Sequence, residues 1–133
     1  MDFRFLARYQ PQLLAVLRIV VGLLFLEHGL SKFFGIPVPF PVQPLPPMLI
    51  AAGAIELIGG VLVTIGLFTR LVAFVCSGEM AVAYFMGHFP KGFWPVANMG
   101  EAAILFCFVF LYIAAAGPGA WSVDHMRMKA PQP

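Results

Sequence analysis

The sequence predicts an all-α fold, a bundle of four helices crossing a membrane. Three observations carry that prediction. Of the 133 residues, 61% are hydrophobic and 11% charged, where roughly a quarter of a soluble chain is charged; the mean hydropathy is +0.91. The apolar residues gather into four runs, 13–35, 48–68, 71–89 and 98–116, each long enough, with modest tilt, for a hydrocarbon core that takes about 20 helical residues to cross. The segments between the runs differ in basic charge as topology demands, since cytoplasmic segments accumulate Lys and Arg.

The N-terminal arm carries Arg4 and Arg8 and leads into the first run. That run has no small-residue cleavage site behind it and ends in Lys32, two phenylalanines and Gly35, so it is expected to stay as a permanent helix. The next segment, "GIPVPFPVQPLPP", has no charge. Its Pro37, Pro39, Pro41, Pro44, Pro46 and Pro47 forbid a helix and favour extended geometry; being apolar, it is expected to lie on the membrane surface or to lid the bundle. The second helix ends in the short turn "LFTR", with Arg70. The third run is the shortest, and the loop after it, "FPKGFWP", has only Lys91 and sets Phe89, Phe93 and Trp94 at an interfacial belt. After the fourth helix the tail 117–133 carries Trp121, Arg127 and Lys129. One domain is expected over 1–133, with both termini and the 68–71 turn in the cytoplasm and the proline-rich and aromatic loops outside.

Within this apolar chain "FLEHGLSKF", residues 25–33, sets Glu27, His28 and Lys32 inside the first helix. Each other helix also carries a glutamate: Glu56, Glu79, and Glu101 beside Asn98. Four of the six acidic residues therefore fall in the bilayer region. A charged side chain at the bilayer centre costs about 2.5–3.5 kcal/mol, so four isolated carboxylates would cost roughly 10 kcal/mol. They are expected to face the bundle interior, protonated or paired with Lys32, His28, Arg18 or His88. At 100° per residue Arg18, Gly22, Phe25, Gly29 and Lys32 share one stripe, Gly53, Glu56 and Gly60 another, and Cys76, Glu79, Ala83 and Gly87 a third. Small residues beside the glutamates let helices approach closely. Glu27 alone points away from its stripe, toward a different neighbour or a second protomer. The candidate polar cluster is His28, Lys32, Glu56, Glu79, His88, Asn98 and Glu101, with Arg18 and Glu27 secondary. Such groups either hydrogen-bond neighbouring helices to fix their register, or line a polar cavity for protons or a ligand.

Other chemistry is thin. Cys76 and Cys107 lack CxxC spacing and read as buried apolar thiols. No histidine spacing matches a dedicated metal site. Phosphate loops, catalytic triads and dinucleotide fingerprints are absent from the sequence, and nothing favours nucleic acid.

The segments "LRIVVGLLFLEHGLSKFFG", "ELIGGVLVTIGLFTRLVAF" and "MAVAYFMGHFPKGFWPVANMGEAAILFCFVFLYIAAAGPGAWSVD" resemble, in order and spacing, the DoxX family of small bacterial four-helix membrane proteins. The shared pattern includes Arg18, Gly22, His28, Gly29 and Lys32, then Glu56, Gly59, Gly60, Gly66, Thr69 and Arg70. It continues through Ala83, His88 and Glu101 to Gly117, Pro118, Gly119, Ser122 and Asp124. Glu27 and Glu79 stand outside that pattern. The resemblance implies an accessory subunit of a quinone-linked or thiol and sulfur redox complex, with membrane lipid, redox proteins or a second copy as partners and quinone as the cofactor to test. The isolated chain is not expected to be catalytic. Two other classes stay open: an assembly scaffold without chemistry of its own, and a small proton-coupled carrier.

Overall fold

The structure, a computed structural model, describes residues 2–129. Helix α1 spans Gln10–Phe34, α2 Pro47–Ile65, α3 Thr69–Ala83, α4 Pro95–Asn98, α5 Glu101–Ala116 and α6 Val123–Lys129. A 3-10 turn, Arg4–Tyr9, leads into α1, and α3 widens at its end into a π turn, Tyr84–His88, followed by a 3-10 turn, Phe89–Lys91. Three of these stretches, Arg4–Phe34, Pro47–Ile65 and Thr69–Lys91, are long and apolar enough to cross a membrane. With 16 residues, α5 reaches about 24 Å and is the shortest of the four long helices after α3.

Several helix ends depart from the sequence reading. The second helix stops at Ile65 rather than 68 because Gly66 turns the chain left-handed, φ 72°, and a β-carbon there would sit 2.4 Å from that of Ser122. The third then starts at Thr69. The fourth begins at Glu101 rather than 98: Met99 has φ 60°, and the Asn98 side-chain oxygen accepts the Gly100 amide at 2.8 Å, which turns the chain before the helix can start.

α1 packs along α2, α3 along α5, and the two pairs join mainly through α2 and α3; the α1 and α5 backbones stay apart and meet through large side chains. Between the pairs lie Val21, Phe25, Val63, Ala73, Cys76, Met80, Phe110 and Ile113, with the Phe25 and Phe110 rings edge to face at 4.8 Å. The buried face of α1 is Ala15, Arg18, Val21, Gly22, Phe25, Gly29 and Lys32. Its other side exposes Leu13, Val16, Val20, Leu23 and Leu24, an apolar exterior suited to lipid rather than water.

Glycine sets the α1–α2 spacing. A β-carbon on Gly60 would lie 2.7 Å from the Leu26 α-carbon and 2.8 Å from its amide nitrogen, and backbone atoms cannot swing aside. Gly60→Ala must therefore push α1 and α2 apart, and we expect a loss of about 1–3 kcal/mol, as for other overpacked interfaces. Thermal melting in detergent checks this; an unchanged midpoint would mean the two helices do not close on Gly60.

The expected tail folds back into the bundle as far as Lys129, and residues 130–133 lie outside the described residues. The Ala120 amide donates to the Pro11 carbonyl at 3.0 Å and the Asp124 amide to the Gly66 carbonyl at 2.9 Å. The Asp124 carboxylate accepts from the amides of Phe68 at 2.9 Å and Thr69 at 2.8 Å, and so caps α3 from the other end of the chain. Burial pushes this carboxyl up, but the hydrogen bonds from Thr69 and Phe68 and the charge of Arg127 outweigh it and hold it below its ordinary value. A depressed folded value means the cap contributes fully above the unfolded value, about 3.9, and is lost as pH falls through the folded one. Asp124→Asn is expected to cost about 1 kcal/mol at pH 7, as for a lost helix cap, and progressively less at an acid pH below the folded value, where the native carboxyl takes up its own proton. Equal gaps in melting at the two pH values would rule the carboxylate out as the cap.

Candidate functional site

The end of α1 and the middle of α2 meet where both helices are thinned by glycine. Gly53, one turn before Glu56, leaves room for the Lys32 stem: a β-carbon there would lie 3.3 Å from Lys32 Cδ. Lys32 Nζ donates to both carboxylate oxygens of Glu56, at 3.0 Å and 2.8 Å, and the two side chains are only 7% and 3% exposed. The ion pair is thus closed from solvent and lipid. The proline-rich segment completes the enclosure. Ser31 Oγ donates to the Val38 carbonyl at 2.8 Å and Gln43 Nε2 to the Lys32 carbonyl at 3.2 Å, and the Phe40 ring sits 4.7 Å from Lys32 Nζ. An aromatic face is a favourable neighbour for a desolvated ammonium.

Two more titratable groups surround the pair. Glu79, on α3, has its Oε2 buried without a hydrogen-bond partner among the described residues. His28, one helical turn before Lys32, is exposed on the bundle exterior. Its Nδ1 donates to the Leu24 carbonyl at 2.8 Å, and Nε2 is the ring nitrogen left without a protein partner among the described residues. The ring stands edge-on to Phe106 at 5.7 Å. The group thus sets one ammonium beside two carboxyls.

The remaining candidates do not join this group. Four glutamates were expected to turn inward; Glu56 does so fully and Glu79 in part, while Glu27 and Glu101 are exposed. Glu27 follows Phe25 by two residues, about 200° around the helix, so burying Phe25 turns Glu27 outward. Glu101 stands in the first turn of α5, where the helix dipole favours a negative charge. His88 and Asn98 form a separate knot. The wholly buried Asn98 donates to the Gly92 carbonyl at 2.9 Å and to Tyr84 Oη at 3.3 Å, and His88 Nδ1 donates to the Asn98 carbonyl at 3.0 Å; these bonds hold the 84–100 turn in place. Arg18 meets no glutamate: it lies fourteen residues before Lys32, about 21 Å along α1, and donates to the carbonyls of Pro118, Ala120 and Trp121.

Sequence reasoning missed Phe40, whose role needs the loop's path, and Ser77, whose Oγ donates to the Cys107 carbonyl at 2.7 Å. Cys76 and Cys107 are free thiols, the first fully buried. Among the described residues no three His, Cys, Asp or Glu come together to hold a metal ion. The Lys32 bonds occupy both Glu56 carboxylate oxygens and are covered.

Comparison with known proteins agrees with this picture at the level of family. The DoxX family model matches residues 13–89. A protein of Haemophilus influenzae is 45% identical over 130 residues, covering 93% of this chain and 97% of its own length. Membrane protein Rv3486 of Mycobacterium tuberculosis is 29% identical over 139 residues, 90% of this chain and 83% of its own. CatD of Bacillus subtilis, named as an oxidoreductase, is 49% identical over 61 residues, 43% of this chain and 46% of its own. No solved structure matches the chain.

Proposed function

This chain belongs to the DoxX family, and on that premise we propose that it is an inner-membrane subunit of a quinone-linked or thiol redox complex, in which the group around Lys32 holds and passes a proton. Both termini face the cytoplasm in this reading, on the strength of Arg4, Arg8, Arg70, Arg127 and Lys129. The observation that carries it is a second carboxyl beside a closed ion pair: Lys32 is matched by Glu56, and Glu79 has a buried oxygen with no partner among the described residues. Intramembrane ionisable groups so arranged mark proton paths more often than architecture. The oxidoreductase name of CatD supports the redox setting. A bound quinone would supply a carrier of two electrons and two protons. The chain's own part is to accept a proton at His28 Nε2, on the lipid side, with Glu56 and Glu79 behind it to stabilise the resulting cation.

The test is the quinone content of the protein purified in mild detergent, for the native chain, His28→Leu and Glu79→Gln. We expect quinone above that of a mock preparation, most of it lost in His28→Leu at an unchanged melting midpoint, and retained in Glu79→Gln. No quinone with the native chain, or equal amounts with His28→Leu, would remove the basis for this reading. The scaffold reading is favoured by one observation, the complete closure of the Lys32–Glu56 pair, and it expects all three proteins to differ only in stability.

A further inference from the structure

We propose that the end of the bundle opposite Lys32 is a binding site for an anionic phospholipid, its phosphate held by Arg70 and His125 and an acyl chain laid between α1 and α5. A cleft of about 440 Å³ at that end is lined by Gln12, Arg70 and His125 among others. It adjoins an apolar groove of about 520 Å³ walled by Leu14, Tyr112, Ala115 and Ala116; Pro11 and Gly119 border both, so the two form one continuous depression. The groove lies between the start of α1 and the end of α5, where small Ala115 and Ala116 face Leu14 and the helix backbones stay apart.

The chemistry of the two parts suits the two ends of one lipid. Arg70 is exposed. Its Nη1 donates to the carbonyls of Ala114 and Ala115 at the end of α5, which fixes the guanidinium, while Nε and Nη2 have no protein acceptor among the described residues. Those two nitrogens form one edge of the fork, the geometry that binds phosphate bidentately. The His125 ring is likewise without a protein hydrogen bond among the described residues. Asp124, the acid next to it in sequence, is turned away and spent on the α3 amides. Gln12 Oε1 is buried without a partner and borders the cleft, so a headgroup hydroxyl would satisfy it. Gln12 precedes Lys32 by twenty residues, about 30 Å along α1, which puts the cleft at headgroup depth on the opposite membrane surface. Arg4, Arg8, Arg127 and Lys129 add positive charge at that surface, as expected for an end facing an anionic leaflet.

Native mass spectrometry of the purified full chain, offered phosphatidylglycerol or phosphatidylcholine of the same chain length, reads the site directly. We expect phosphatidylglycerol to be retained over phosphatidylcholine, and its retention to fall about fivefold in either Arg70→Gln or His125→Gln, the effect of one basic group at a membrane surface. Ala116→Trp, which fills the groove, should lower retention of both lipids. Because Arg70 also caps α5, each variant is first melted in lipid-free detergent; His125→Gln, whose ring bonds to nothing in the protein, decides the matter if Arg70→Gln fails to fold. Equal retention of the two lipids, or native retention in His125→Gln, would overturn the proposal. So would displacement of phosphatidylglycerol by inorganic phosphate at similar concentration, which would make the cleft a site for the free anion, with no part for the groove.

Discussion

Replacing Lys32 by Met is expected to destabilise the bundle by about 3–5 kcal/mol, the cost of removing one partner from a buried ion pair. The methionine fits the space, so lost volume is not the cause. What remains is Glu56, 2% exposed and deprived of its hydrogen-bond donor, beside a Glu79 that already has an unpartnered oxygen. The pair itself contributes far less than its breakage costs, because the desolvation of both ions offsets most of their attraction. The double variant Lys32→Met with Glu56→Leu should therefore regain most of the loss. Melting or graded denaturation in detergent separates the two cases. A Lys32→Met protein that melts like the native one would show that the two side chains do not depend on each other, and the proton-holding group would have no anchor.

The parts of this arrangement that were legible in the sequence are those governed by helical period. The α1 stripe from Arg18 through Gly22, Phe25 and Gly29 to Lys32 is the face that the structure buries, because glycine and charge recur there at intervals that only an α-helix brings together. Glu56 follows in the same way from Gly53 and Gly60. Period assigns a face to a residue but not a neighbour, which depends on how helices cross and at what depth. Arg18 and Lys32 therefore share a stripe yet serve opposite ends of the bundle, and His88 and Asn98 close a turn of their own rather than join Glu56. The α3 stripe is partly displaced for a related reason: the helix widens at Tyr84, which turns Gly87 outward. Helix ends were missed where a distant residue makes the cap. Nothing local to Phe68 and Thr69 says that α3 starts there; the carboxylate that caps it comes from Asp124.

Arg18→Met should have the second large effect, and a different one. Arg18 is wholly buried and donates to three carbonyls of the 118–121 segment, two of them at 3.2 Å and 2.9 Å. Without it those oxygens are left inside the protein with no donor, at about 1–3 kcal/mol for each unsatisfied group, and the segment can recover them only by moving out to water. Leaving is possible because the segment is held otherwise by few bonds: Ala120 to Pro11 and Asp124 to Gly66, Phe68 and Thr69. The loss should therefore be local, opening residues 117–129 and uncapping α3. The Lys32–Glu56 pair, about 21 Å away along α1, should keep its own stability, since sites so far apart with no shared partners act independently. Hydrogen exchange reads both: the Phe68 and Thr69 amides should lose protection in Arg18→Met, trypsin should cut sooner at Arg127, and amides around Glu56 should exchange as in the native chain. Arg18→Lys, with a single ammonium where a planar fork reached three oxygens, should fall between. Native protection at Thr69 in Arg18→Met would mean that the guanidinium does not hold the tail. The Asp124 cap would then have to account for the fold-back alone.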